Sequence, residues 1–119
     1  IADLAALAAD THKFEARYLD RLVGRWPEDE VVYRERSPIH HVDRLSTPLL
    51  LLQGSEDRVV PPSQAHAMAD ALAGRGVPCE LIEFPDEGHG FRKAANVVRA
   101  LEAELAFFAA RFGFPVAPD

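Results

Sequence analysis

Leu49-Leu50-Leu51-Leu52, held between Pro48 and Gly54, is the stretch that decides the fold. Four consecutive apolar residues without polar alternation read as a strand buried on both faces, the pattern of a parallel sheet. A polar loop follows from Gly54 to Val60, and Pro61-Pro62 then opens a helix running to about Arg75. Proline suits the first turn of a helix, where its missing N–H costs nothing. Ala65, Met68, Ala69 and Leu72 share one face of this helix, and Gly74 and Gly76 end it. Residues 78–84 read as a second strand, followed by a Gly-rich loop from Asp86 to Phe91. The spacing predicts a last helix over 94–112, where Val97, Val98, Leu101, Leu105, Phe108 and Phe112 make one stripe facing a core.

Strand, helix, strand, helix is a βαβα unit, so the two strands are predicted to be parallel neighbours joined by a right-handed crossover. Upstream, residues 2–9 are Ala/Leu-rich, and Asp10-Thr11 is a good N-cap for a helix over about 12–23, with Phe14, Tyr18, Leu19 and Leu22 on one stripe. Gly24 stops that helix and Trp26-Pro27 opens a loop. Residues 28–36 are charged and read as a short exposed helix, which Ser37-Pro38 ends. Two strands are too few for a sheet buried on both faces. The expectation is an α/β chain with an incomplete sheet: a mainly helical lead-in over 1–47 and a βαβα unit over 48–114. The rest of the sheet would come from another chain or from a larger domain. Residue 1 is Ile and the sole methionine is Met68, which fits a piece cut from something longer.

The 119 residues carry a formal net charge of -6 and are 48% hydrophobic. An acidic balance supplies no positive field for a phosphate backbone, so no nucleic-acid partner is expected. One cysteine, Cys79, leaves no disulfide framework or Cys-rich zinc site and makes a reducing, cytoplasmic compartment the expectation. No apolar run is long enough for a membrane helix and no signal segment opens the chain, so no membrane partner is expected.

In open parallel sheets, sites form outside the carboxyl ends of the strands. Two loops occupy such ends: Gly54-Ser55-Glu56-Asp57 and Glu87-Gly88-His89-Gly90-Phe91. Neighbouring strands lie about 4.8 Å apart, so an acid on one loop can reach an imidazole on the other. Asp57 and His89 are 32 residues apart, the length of one crossover helix and one strand. A carboxylate accepting the Nδ1–H of His89 would fix its tautomer and stabilise the imidazolium formed in proton transfer. Each residue also has a purely structural reading. Asp57 could cap a turn, and His89 could be an ordinary exposed loop histidine. In α/β-hydrolases the catalytic order is Ser, then acid, then His, with the Ser in a G-x-S-x-G elbow. The last two stand here in that order, but Ser37, Ser46, Ser55 and Ser63 all lack the flanking glycines. The nucleophile is absent from these residues.

From Tyr33 to Phe114 the sequence resembles the C-terminal portion of the α/β-hydrolase catalytic domain of the prolyl oligopeptidase family, in its acylaminoacyl-peptidase and dipeptidyl aminopeptidase branch. The matching elements are Arg36-Ser37-Pro38-Ile39, Pro48 through Gly54 with Glu56-Asp57, and Val59-Val60-Pro61. Phe84-Pro85 followed by Glu87-Gly88-His89-Gly90-Phe91 also matches, and His12-Lys13-Phe14-Glu15 with Tyr18-Leu19 resembles a segment of bacterial members. The resemblance implies that Asp57 is the triad aspartate, ahead of its neighbour Glu56, and that His89 is the triad histidine. It implies acyl transfer to a serine, no metal or organic cofactor, and short peptide substrates. The serine elbow, the oxyanion donors and usually a β-propeller would lie upstream of Ile1. Alone, the chain is expected to be inactive, and either to self-associate or to pair with that upstream part.

Two other readings remain open: an esterase or dienelactone-hydrolase-like protein sharing both loops, and a non-catalytic α/β assembly module. Other residues carry plainer expectations. His40-His41 lacks a third ligand at a sensible spacing, His66 reads as surface, and Cys79 as a small buried side chain. Arg34, Arg36, Arg58 and Arg92 read as surface charge, and Phe91 as packing beneath its loop.

Overall fold

Pro48 pushes Thr47 out of the helical region, and pairing with a parallel neighbour overrides leucine's helix propensity, so the chain enters strand β1 over Leu49–Gly54. Its parallel partner β2 spans Cys79–Phe84, in a register running from Leu49 opposite Cys79 to Gly54 opposite Phe84. The crossover between them is helix α4, Pro62–Ala73. The computed structural model describes residues 1–10 and 18–116. Before β1 come α1 (Leu4–Asp10), α2 (Tyr18–Leu22), α3 (Glu30–Arg36) and a 3-10 segment over Pro38–Arg44. After β2 comes α5, Ala94–Phe112. The Thr11 half of the expected N-cap, the first part of the helix read over 12–23, and His12-Lys13-Phe14-Glu15 lie outside the described residues.

Met68 and Leu72 on α4 form the main core with Ala2, against Val42, Leu45, Leu49, Leu51, Val77 and Cys79. Gln64, also on α4, ties the start of the chain to this core. Its side-chain carbonyl accepts the N–H groups of Ala2 and Asp3, and its amide donates to the Asp3 carbonyl, each at 2.8 Å. A second buried centre is Tyr33, which α3 turns inward although its neighbours are charged. Its hydroxyl donates to the Gly24 carbonyl at 2.7 Å, and Trp26 packs edge-on at 5.2 Å. The expectation of a wholly exposed helix over 28–36 is therefore corrected at this one residue.

Two apolar surfaces are left partly uncovered for a common reason, as an incomplete sheet implies. Among the described residues the sheet has two strands, so one edge of β1 has no neighbour and Leu49–Leu52 are half-buried rather than enclosed. The stripe on α5 does not face a core: Leu101 is 60% and Phe112 75% exposed, and the buried positions are Ala100 and Ala109. A 19-residue helix is about 28 Å long and needs more sheet than two strands provide. The shape agrees. A compact chain of this length has a radius of gyration of about 13.5 Å; this one has 16.3 Å and extends 53 Å along its longest axis.

Candidate active site

Parallel pairing of β1 and β2 places their following loops side by side, and backbone bonds lock them together. The Ser55 N–H donates to the Phe84 carbonyl at 3.0 Å, and the Glu56 N–H to the Glu87 carbonyl at 2.9 Å. The Ser55 hydroxyl accepts the Asp86 N–H at 3.1 Å. Gly54 permits this approach, since a Cβ there would sit 2.4 Å from the Glu87 carbonyl oxygen and 2.5 Å from that of Gly88. Any side chain at this position would push the loops apart. Gln53, buried just before it, donates to the Gly54 and Val60 carbonyls and holds both ends of the acid loop.

Asp57 is 8% exposed and uses both carboxylate oxygens. Oδ1 accepts the N–H groups of Val59 and Val60 at 2.9 and 2.8 Å, which is the turn-capping role. Oδ2 lies 2.9 Å from Nδ1 of His89. The turn-capping bonds and the contact with His89 thus coexist on one side chain. Burial pushes the Asp57 carboxyl upward, but the bonds from Val60, His89 and Val59 and the attraction of the imidazole outweigh it, so it lies below the usual aspartate value. The aspartate stays ionised and is the acceptor, which puts the proton on Nδ1 of His89. Nε2 is then free to take up and release a proton. The His89 ring is 57% exposed.

Folding and titration are linked here. A group whose pKa is depressed in the folded state adds stability above its ordinary value and loses it as pH falls through the folded value. For Asp57 that stability is present above about pH 4 and fades below it. In the full-length protein, Asp57→Asn should therefore flatten the acid limb of a plot of melting temperature against pH. Coincident acid limbs for wild type and variant would contradict the assignment of these bonds.

Asp57 and His89 line a cleft of about 650 Å³ whose apolar wall includes Leu49, Leu51, Met68 and Phe91. The rival acid Glu56 is exposed, as are Arg34, Arg58 and Arg92, and Arg36 donates from its guanidinium to the Leu22 carbonyl at 3.1 Å. Phe91 packs on Phe84 with ring centroids 4.4 Å apart. His66 is exposed beside Glu83 at 3.1 Å. His41 donates from Nε2 to the Glu35 carbonyl at 2.7 Å, and among the described residues no group of three or more His, Cys, Asp or Glu side chains gathers as a metal site. Cys79 is half-buried rather than fully buried, and burial pushes its thiol up, away from the nucleophilic thiolate. Ser37 and Ser55 spend their hydroxyls on backbone partners. Sequence reasoning gave no role to Glu87, whose carboxylate is 2% exposed. It accepts the Arg92 and Lys93 N–H groups and the Asn96 side-chain amide, each at 2.9 Å. The Asn96 and Arg92 bonds lead in holding it below the usual glutamate value.

Several known proteins are similar to this chain. A puromycin-hydrolyzing peptidase of Mycobacterium tuberculosis is 51% identical and superposes with a TM-score of 0.92 over 97% of this chain, which spans 18% of that one. Dipeptidyl aminopeptidase BIII of Pseudoxanthomonas mexicana is 37% identical over 62 residues, 52% of this chain and 9% of that protein. An esterase from Thermogutta terrifontis is more distant, with 28% identity and a TM-score of 0.57 over 80% of this chain and 39% of that one. The chain thus spans 9% and 18% of the two peptidases. The model of the prolyl oligopeptidase family matches residues 1–114, and the chain belongs to that family.

Proposed function

We propose that this chain supplies the acid and the base of a serine peptidase that cleaves short peptides, in the manner of an aminopeptidase, acylaminoacyl-peptidase or oligopeptidase. The observation that carries the reading is the 2.9 Å contact between Asp57 Oδ2 and His89 Nδ1 at the carboxyl ends of adjacent parallel strands. Family membership supports it. The nucleophilic serine and the oxyanion donors belong to a part of the protein outside these 119 residues, and the chain alone is inactive.

In the complete site the serine hydroxyl attacks the peptide carbonyl while Nε2 of His89 takes its proton. The imidazolium then protonates the leaving amine; a water, deprotonated by the same nitrogen, attacks the acyl group, and the proton passes to the serine oxygen as the carboxylic acid leaves. Asp57 keeps its charge throughout and holds the ring. Its depressed pKa serves this role, because a protonated Asp57 could not balance the imidazolium.

The protein works in proteolysis in the cytoplasm, a reading supported by the lone Cys79. Among the described residues no helix is long and apolar enough to cross a membrane. The net charge of -6 speaks against a nucleic-acid partner. The open edge of β1 and the uncovered stripe of α5 support pairing with the N-terminal part of the same protein, or self-association when that part is missing.

An esterase is the second reading, favoured by the Thermogutta terrifontis likeness, though the peptidase superposes far better. Full-length protein offered an aminoacyl-arylamide and the matching aminoacyl ester separates the two. A peptidase turns over both. Ester cleavage with the arylamide left intact would overturn the proposal in favour of the esterase.

A further inference from the structure

His89 stands between two glycines, and Gly90 has a φ of 103° that side chains rarely adopt. A Gly-His-Gly segment has little backbone stiffness of its own, and among the described residues the ring is bonded to Asp57 alone. Something else must define where the ring is carried. The segment is anchored at both ends by a single residue. The Glu87 carbonyl accepts the Glu56 N–H at 2.9 Å, which fixes the start of the segment to the acid loop. Its Oε2 accepts the Arg92 N–H, past His89 in sequence, at 2.9 Å, which closes residues 87–92 into a ring. Its Oε1 accepts the Lys93 N–H and the Asn96 amide at the start of α5, where Lys93 itself provides no side-chain cap.

We infer that Glu87 is a positioning residue for the proposed reaction: its buried carboxylate closes the Gly-His-Gly loop and so sets where His89 meets both Asp57 and the serine. This rests on the peptidase reading above. A simple helix cap at the start of α5 would need only the Oε1 bonds. The Oε2 bond to Arg92 spans the histidine and does nothing for the helix ladder. Burial to 2% exposure keeps water from competing for these bonds, so the loop closure is held in the resting protein and is not assembled by substrate.

The test compares wild type, Glu87→Ala, Glu87→Gln and His89→Ala in the full-length protein, on one aminoacyl-arylamide, well below each melting temperature. Misplacing a reacting group by about 1 Å costs on the order of 10²-fold in rate, so Glu87→Ala should lose about that much kcat. KM should stay near wild type, because Glu87 is only 2% exposed. Glu87→Gln keeps one carbonyl acceptor for Arg92 but turns an amide toward the Lys93 and Asn96 donors, so it should recover part of kcat. This variant also keeps the test readable if the alanine protein does not fold. Wild-type kcat in a folded Glu87 variant, with His89→Ala inactive, would overturn the positioning role alone. A loss confined to melting temperature would assign Glu87 to stability and overturn it equally. An active His89→Ala would remove the peptidase reading itself.

Discussion

Full-length protein carrying His89→Ala is expected to lose about four orders of magnitude or more in kcat on an aminoacyl-arylamide while remaining folded. The size follows from the role proposed for the imidazole, as base for the serine and acid for the leaving amine. Retention of the fold follows from exposure. The ring is 57% exposed, so its removal leaves no cavity. Asp57 loses one bond but keeps those from Val59 and Val60, at a cost of roughly 1 kcal/mol. KM should change little, because the ring contributes to the transition state rather than to binding. Hydrolysis near the wild-type rate would contradict the base assignment.

Asp57→Asn should cost about 10⁴-fold in kcat for a different reason. The asparagine carbonyl can go on accepting the Val59 and Val60 N–H groups, so the acid loop stays in place. Its amide then presents N–H toward Nδ1 of His89, which must become the acceptor. The proton moves to Nε2, and that nitrogen can no longer take one from serine. The measurement is kcat and KM beside the melting temperature at neutral pH. A variant with wild-type kcat would show that Asp57 only caps its turn.

The part of the fold that builds the site is legible in the sequence because its signals are local. Pro48 and Gly54 bracket the leucine run, Pro61-Pro62 opens α4, and the last helix falls over 94–112 from its apolar spacing. The meeting of Asp57 with His89 is legible too, since parallel neighbours must set their following loops together. What is not legible depends on distant neighbours. A stripe such as Val97 to Phe112 shows that a helix wants a partner but not that the partner lies among the same residues. Tyr33 sits in a charged segment that hides its burial, and the 3-10 segment over Pro38–Arg44 has no periodicity to betray it. Glu87 escapes notice because two of its three donors are backbone N–H groups, which every residue but proline carries.

In the proposed mechanism Asp57 and His89 act as one unit on a serine, which a double-variant cycle tests. Single variants Asp57→Asn and His89→Ala and the double variant are compared with wild type on one arylamide, each confirmed folded. If the aspartate works only through the histidine, the double variant is no slower than His89→Ala alone. If the two losses multiply, the residues act independently, and the contact between Oδ2 and Nδ1 is not the catalytic device proposed for it.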